Sequence, residues 1–180
     1  MTRLLAITPG RADVADLRRA EALGDAGIDG VLVREPDLAA GDVAAWLDAL
    51  RARVPWVIVH GRCAGLHNAP VHRSSTDLRP GDGRSCHSFE ALDAAFASGS
   101  SWATLSPVWP TKVSDARVPL GPDLCLRWAG GRPVYLLGGV TQAQADSLRG
   151  AYGIAAIGAF FGEGGLAAVG AFRRALQVQV

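Results

Sequence analysis

Residues 134–141 have the sequence VYLLGGVT, four apolar residues followed by two glycines, a valine and a threonine. A short apolar run bounded by glycines predicts a buried strand, and Thr141 is a residue type that caps the first turn of a helix. Residues 154–157, IAAI, form another apolar run, which ends at Gly158. A repeated order of strand, glycine-containing turn and helix is typical of parallel βα units.

The same pattern extends back along the chain. Apolar runs predict strands at 4–8, 30–33, 56–59, 85–87, 102–105, 134–137 and 154–157. Helical spacing and capping residues predict helices at 13–26, 42–52, 88–97, 120–128, 142–149 and 165–177. Seven or eight strands alternating with helices favour a (β/α)8 TIM barrel in a single domain, residues 1–180, and the alternative is an open doubly wound sheet.

One flank of the predicted barrel is short. The chain has 180 residues, whereas such barrels usually need at least about 200. The segment 65–67 follows the third strand too closely for a crossover helix, and residues 74–84 have the composition of a loop, with His72 in the same irregular region. We therefore expect the barrel to be shortened around strands 3 and 4, between His60 and Arg84.

Composition narrows the classes of function. The net charge is only +1 and no extended basic stretch is present, which argues against a nucleic-acid partner. The chain has neither a signal sequence nor an apolar stretch long enough for a membrane span, so we expect a cytoplasmic protein. The three cysteines are far apart and form no C-x-x-C pair, as expected for reduced, buried thiols.

Glycines follow the last two predicted strands. Gly138 and Gly139 come after residues 134–137, and Gly158 with Ala159 comes after residues 154–157. In TIM barrels these two turns commonly bind phosphate through backbone N–H groups, and small residues let an oxygen approach them. The alternative is that the glycines only permit tight turns.

In this order of segments the chain resembles the thiamine phosphate synthase and TenI family. The resemblance lies in residues 5–8 (LAIT), 31–35 (VLVRE), 85–88 (SCHS) with 90–91 (EA), 105–111 (LSPVWPT), 137–140 (LGGV) and 155–158 (AAIG). It implies a (β/α)8 barrel that binds a phosphorylated thiazole. Synthases of the family couple this thiazole to hydroxymethylpyrimidine diphosphate, and TenI-type relatives aromatise its ring.

The chain departs from the synthase pattern where the family binds metal. The synthases carry Gln-x-Arg-x-Lys at the end of the second strand, and here only Arg34 of these three remains. Their carboxylates after the third and fourth strands are replaced by 60–62 (HGR) and 65–70 (GLHNAP). Magnesium prefers oxygen ligands, so we predict no metal residues, and magnesium as cofactor only if the synthase reaction is retained.

The candidate catalytic residue is His87. TenI-type relatives carry a histidine where this chain has Pro107, and proline cannot transfer a proton. His87 follows a predicted strand, and imidazole titrates near neutral pH. His60 and His67 are further candidates for the pocket. The alternative for His87 is a structural hydrogen bond at the rim.

Cations are expected beside the phosphate. Arg34 is one candidate for a cation that binds the phosphate, and Lys112, the only lysine of the chain, is the other. Thr111, which precedes Lys112, is a further candidate for binding the phosphate. The family spacing would place its lysine at Ser114, two positions after Lys112. Arg62 and Arg84 are weaker candidates, since arginines are mostly surface residues.

The resulting hypothesis is an enzyme of thiamine metabolism, a transferase or isomerase, that binds a thiazole phosphate through Arg34, Thr111, Lys112 and the two glycine turns. One alternative is a non-catalytic module that binds a phosphorylated metabolite, and another is an unrelated barrel isomerase that uses His87. The partner in each case is a small phosphorylated molecule. The sequence leaves open whether the protein forms a homo-oligomer, because Trp102, Trp109 and Trp128 suit either a subunit contact or internal packing.

Overall fold

Eight parallel strands close into a barrel in chain order, with β1 hydrogen-bonded to both β2 and β8. The structure is a computed structural model that describes residues 3–63, 68–111 and 117–176. The strands are β1 (Arg3–Ile7), β2 (Gly30–Val33), β3 (Trp56–His60), β4 (Val71–Arg73), β5 (Gly83–Cys86), β6 (Trp102–Leu105), β7 (Val134–Leu137) and β8 (Gly153–Ala156). The TIM barrel prediction is confirmed, and the open sheet was the wrong alternative.

Helices alternate with most of the strands. They are α1 (Val14–Asp25), α2 (Ala40–Arg51), α3 (Phe89–Ala97), α4 (Pro122–Ala129), α5 (Gly158–Phe161), α6 (Gly165–Leu176) and a 3-10 helix (Gln142–Leu148). Polar caps set several of their starts: the Asp13 side chain accepts a hydrogen bond from Ala15 N, and Ser88 accepts one from Ala91 N. Thr141 forms a reciprocal capping box with Gln144. Each cap leaves fewer helix N–H groups unpaired.

The apolar side chains form two layers. Since side chains on a strand alternate between faces, Leu4 and Ala6 pack outward against the helices while Leu5 and Ile7 point into the barrel. The inner layer includes Leu5, Ile7, Leu32, Ile58, Trp102, Tyr135 and Ala155. The interior of the barrel is therefore filled by side chains.

Three aromatic rings fill much of the interior, each beside a glycine on a neighbouring strand. Register pairs Gly30 with Trp56, Gly83 with Trp102 and Gly153 with Tyr135. A Cβ atom at Gly83 would lie 2.2 Å from Cε2 of Trp102, and one at Gly153 would lie 2.4 Å from Cδ1 of Tyr135. The barrel accepts these rings because the adjacent positions carry no side chain.

The flank between β3 and β5 is short, as the sequence predicts. Residues 74–82 join β4 directly to β5 without a helix, and the described residues between β3 and β4, 61–63 and 68–70, contain none either. The predicted segment 65–67 lies outside the described residues. The loop predicted around His72 and Arg84 was wrong, because His72 is a buried residue of β4 and Arg84 belongs to β5. A strand of only three residues, Val71–Arg73, carries too little periodicity to be recognised.

All three cysteines are free thiols, and Cys86 and Cys125 are buried. Burial raises the pKa of each of these two thiols to about 11, so both stay protonated at neutral pH. Along 3–63, 68–111 and 117–176, none of the helices combines the length and apolar character that crossing a bilayer demands.

Candidate functional site

Several predicted site residues follow the carboxyl ends of strands and thus share one rim of the barrel. Arg34 follows β2, His87 follows β5, and Thr111 lies in the loop after β6. Gly138 and Gly139 follow β7 directly, while Gly158 comes soon after β8. This is the rim that carries the active sites of TIM barrels. Lys112 and His67 lie outside the described residues.

The β7 turn packs tightly against the loop after β6. Gly138 and Gly139 have φ angles of +98° and +67°, which favour glycine. A Cβ atom at Gly139 would lie 2.6 Å from the Pro110 carbonyl oxygen. Val108 N donates to Leu137 O and Trp109 N donates to Gly138 O, which ties the two loops together. These glycines therefore serve the close approach of two backbones.

The packing of these loops does not use the N–H groups of the glycines in the turns after β7 and β8 as hydrogen-bond donors. In the ranges that the structure describes, Gly138 N, Gly139 N and Gly158 N have no hydrogen-bond acceptor. Since β7 and β8 are parallel neighbours, the two turns lie beside each other. Adjacent unpaired N–H groups are the backbone arrangement that binds anions.

Gly158 and Ala159 open the short helix α5, a helix that the sequence prediction missed. They line a groove of about 350 Å³ together with Thr141, Gln142, Ala143 and Glu163. A side chain at Gly158 would meet no atom within 4 Å. The groove is thus open on the Gly158 side, and the Glu163 carboxylate on its wall would oppose an anion placed next to it.

His87 is half-buried and is held by the neighbouring strand end. Its Nδ1 lies 2.9 Å from Ser106 O, 3.2 Å from Ser106 Oγ and 3.4 Å from Arg117 NH1. The shortest contact assigns the proton to Nδ1, which donates to the Ser106 carbonyl, and leaves the lone pair on Nε2. An imidazole oriented in this way has the tautomer of a general base.

A second cavity, of about 210 Å³, opens on the β2–β5 side of the rim. We call it the arginine cavity; it is lined by Arg34, Pro36, His60, Arg62, Ser74 and Ser85. Arg34 lines this cavity and is not among the residues that line the groove at Gly158, whereas the sequence pattern had suggested that Arg34 and the glycines bind the same phosphate. The structure also brings in Ser74 and Ser85, for which no role was predicted. Recognition of Val71–Arg73 as a strand would have identified Ser74 as a strand-end residue.

The charged side chains that line the arginine cavity, Arg34 and Arg62, are both positive. Burial, with smaller contributions from the guanidinium groups of Arg34 and Arg62, lowers the pKa of His60 to about 4, so the imidazole is neutral at pH 7. The nearby Asp77 carboxylate is held by Arg79 and Arg73, at 2.8 Å and 3.3 Å. Arg84 lies apart from the cavity lining, and its guanidinium donates to the carbonyl oxygens of Asp77 and Arg79.

These residues do not fit a magnesium site. Among the described residues no group of three or more histidine, cysteine, aspartate or glutamate side chains is placed to hold a metal ion. The described lining of the arginine cavity contains no carboxylate. A hard divalent cation needs anionic or neutral oxygen ligands, and two guanidinium groups would repel it.

Comparison with known proteins shows that part of the chain is similar to one protein family. A sequence model of the thiamine monophosphate synthase family matches residues 82–160. No curated protein sequence matches the chain.

Solved structures share the fold. Thiamine phosphate pyrophosphorylase from Pyrococcus furiosus is 19% identical with a TM-score of 0.80, over 97% of this chain and 95% of that one. Its namesake from Bacteroides thetaiotaomicron is 18% identical with a TM-score of 0.65, over 97% and 95%. Tryptophan synthase from Mycobacterium tuberculosis is 17% identical with a TM-score of 0.71, over 98% and 93%. Identities this low establish a common barrel and nothing more.

The segment matched by the family model contains His87 and the glycines of both turns, while Arg34 and the arginines after β3 lie outside it. This match supports the resemblance inferred from the sequence: over residues 82–160 the chain is similar to the thiamine monophosphate synthase family.

Proposed function

We propose that the chain is an enzyme that binds a phosphorylated thiazole, or a closely similar phosphate monoester, with the phosphate at the β7 and β8 turns. One observation carries the proposal: Gly138, Gly139 and Gly158 present N–H groups that have no acceptor within the described residues. Phosphate oxygens are strong acceptors that satisfy several such donors at once. The open approach at Gly158 leaves room for them.

The chemistry that this rim supports best is proton transfer. With Nδ1 engaged by Ser106 O at 2.9 Å, His87 has Nε2 available to take a proton from one atom of a bound ring and return it to another, an isomerisation that needs no co-reactant. In the family's synthases magnesium neutralises a diphosphate. The residues here do not fit that ion, so we assign the chain to the isomerase side of the family.

The test of ligand binding uses Gly158→Asp. Thiazole phosphate at a hundredfold excess over its Kd should stabilise the protein by about 2.7 kcal/mol, which raises the Tm by roughly 5–10 °C. The aspartate should abolish this shift because its charge occupies the approach to the N–H groups. Gly158 suits the test because a new side chain there meets open space, whereas one at Gly139 would strike Pro110. Differential scanning fluorimetry gives the measurement.

Gly158→Asn is the matched control, since it has nearly the shape of aspartate without the charge. It should keep at least part of the shift, and both variants should melt near the parent temperature without ligand. Equal shifts for the parent and Gly158→Asp would place the phosphate elsewhere, and no shift for the parent at millimolar thiazole phosphate would remove the proposal.

A second candidate is a non-catalytic module that binds the same ligand. It is favoured by the lack of a metal-binding cluster in the described ranges and by proline at the position of the family histidine. A direct assay separates the candidates. Turnover of the thiazole phosphate that is lost in His87→Gln, with the ligand-induced Tm shift retained, identifies the isomerase, and a Tm shift without any turnover identifies the module.

A further inference from the structure

We propose that Arg117 is a positioning residue for His87 and that its guanidinium group controls which ring nitrogen of His87 carries the proton. The inference deepens the proposed function and rests on it, because the phosphate of the ligand is the anion that draws this guanidinium away from the ring. Arg117 lies in the segment that leads into α4, 30 positions after His87 in the chain. No role was predicted for it from the sequence.

Two contacts compete for the same nitrogen of His87. Ser106 O lies 2.9 Å from Nδ1, and a carbonyl oxygen only accepts, so this contact requires a proton on Nδ1. A guanidinium nitrogen of Arg117 lies 3.4 Å from the same atom, and a guanidinium only donates, so this contact requires the lone pair there. The Ser106 hydroxyl, at 3.2 Å, donates or accepts and fits both forms. The ring therefore has partners for either neutral tautomer.

The two tautomers differ in what His87 can do. With the proton on Nδ1, Nε2 keeps its lone pair and takes a proton from a bound ring, as the proposed isomerisation requires. With the lone pair on Nδ1, Nε2 carries the proton and no longer acts as a base. Ser106 O is closer and favours the first form, and the longer contact with Arg117 opposes it. Arg117 thus restrains the base until an anion binds at the rim.

The position of Arg117 gives a ligand access to this control. Its side chain is exposed, and the backbone soon after it is fixed, because Leu120 N donates to Pro107 O. The loop that contains Pro107 also reaches the turn after β7, where Trp109 N donates to Gly138 O. A guanidinium binds a phosphate more strongly than it binds a neutral imidazole, since both partners are charged. A phosphate bound at that turn therefore attracts the guanidinium, and the carbonyl contact alone then sets the tautomer.

The experiment measures the tautomer of His87 in the full chain by 15N NMR of the imidazole nitrogens at pH 8.5, where imidazole is neutral. The chain has four histidines, and His87→Gln identifies the signals of His87. Without ligand, Arg117→Met should raise the ratio of the Nδ1–H form to the Nε2–H form by about twofold to tenfold, the effect of one hydrogen bond. Arg117→Lys, which keeps a charged donor, should stay closer to the parent. Arg18→Met is the control, because it removes an exposed arginine of α1 and should leave the ratio unchanged.

Ligand binding should act in the same direction as the substitution. Thiazole phosphate added to the parent should raise the share of the Nδ1–H form, whereas it should add nothing further in Arg117→Met. In a turnover assay Arg117→Met should keep most of kcat, because the base remains, and should raise KM, because the guanidinium no longer binds the phosphate. A merely structural role of Arg117 would not move the tautomer ratio in a protein that circular dichroism shows to be folded.

Two results would overturn the inference. One is a tautomer ratio of His87 that is the same in Arg117→Met as in the parent. The other is a parent ratio that thiazole phosphate leaves unchanged although a Tm shift shows that it binds. The proposed function fails separately: if thiazole phosphate gives neither a Tm shift nor turnover while Arg117→Met still changes the ratio, the control of His87 by Arg117 stands and thiazole phosphate is excluded as the ligand.

Discussion

At the scale of single residues, Glu35 holds the first βα loop of the rim. It is 0% exposed, and its carboxylate accepts from Gly10 N at 3.0 Å and from Ala12 N at 2.7 Å. Ala12 has a φ of +54°, a conformation that non-glycine residues adopt only when their surroundings hold them there. One buried side chain thus fixes the loop beside Arg34.

Glu35→Ala should therefore lower the free energy of unfolding by about 2–4 kcal/mol, since each donor left unpaired costs about 1–3 kcal/mol. Glu35→Gln keeps one acceptor oxygen and should lose about half as much. The control is Glu163→Ala, an exposed glutamate whose removal should change stability by less than about 0.5 kcal/mol. Urea unfolding at pH 7 measures all three, and equal losses at Glu35 and Glu163 would contradict this role.

At the scale of elements, β5 and β6 fit together because Gly83 of β5 has no side chain at the position beside Trp102 of β6. Gly83 and Trp102 are register partners, and a Cβ atom at Gly83 would lie 2.2–2.7 Å from three atoms of the indole. The ring itself contacts Trp56, at a centroid distance of 5.0 Å, and Tyr135, at 5.7 Å. It therefore has little freedom to move aside.

We expect Gly83→Ala to destabilise the barrel by about 3 kcal/mol or more, at the upper end of overpacking costs. The matched control is Gly41→Ala, because a Cβ atom there meets nothing within 4 Å and alanine favours the helix. Gly41→Ala should be neutral or stabilising in urea unfolding. A small loss for Gly83→Ala would mean that the Trp102 ring is free to shift.

At the scale of the whole molecule, a histidine inside the barrel makes stability depend on pH. His72 is 3% exposed, stacks on Trp102 at 5.0 Å, and has a buried Nδ1 without a partner among the described residues. Burial lowers its pKa to about 3, with smaller contributions from His60 and Arg84. In an unfolded chain the pKa of histidine is about 6.5.

The unfolded chain therefore binds a proton at His72 between pH 6.5 and 3, where the folded protein does not. The stability that depends on a neutral His72 is complete above pH 6.5 and is lost as the pH falls, by about 2–3 kcal/mol between pH 7 and pH 4. His72→Phe keeps an aromatic ring and should remove this part of the pH dependence. Urea midpoints of the parent and His72→Phe from pH 7 to pH 4 measure the difference, and parallel curves would contradict the assignment.

The regular elements of this fold are encoded locally. The strands at 30–33, 102–105 and 134–137 were predicted with the bounds that the structure has, because each is a short apolar run flanked by turn residues. The starts of α1 and α3 follow from Asp13 and Ser88, whose caps depend on neighbours within three residues. The β4 strand was missed because three residues give no period, and α5 was missed because four residues give no helical face.

The candidate site was predicted in part. The sequence identified both glycine turns and His87, since such residues stand directly after strands and parallel strands end at a common rim. It assigned Arg34 to the same phosphate as the glycines, and it left Arg62 among the weaker candidates. The arginine cavity was hidden because its lining comes from four different strand ends, and Ser74 follows a strand that was not recognised.

By itself, then, the order of apolar runs, caps and glycines favoured the barrel over an open sheet and predicted its short flank and several of its rim residues, because each of these depends on interactions within a few positions of the chain. Only the tertiary structure decided which rim residues share a cavity, which glycines have space for a ligand and which instead receive a neighbouring ring or carbonyl. Those outcomes depend on distances between segments far apart in sequence, and these distances exist only once the eight strands have closed.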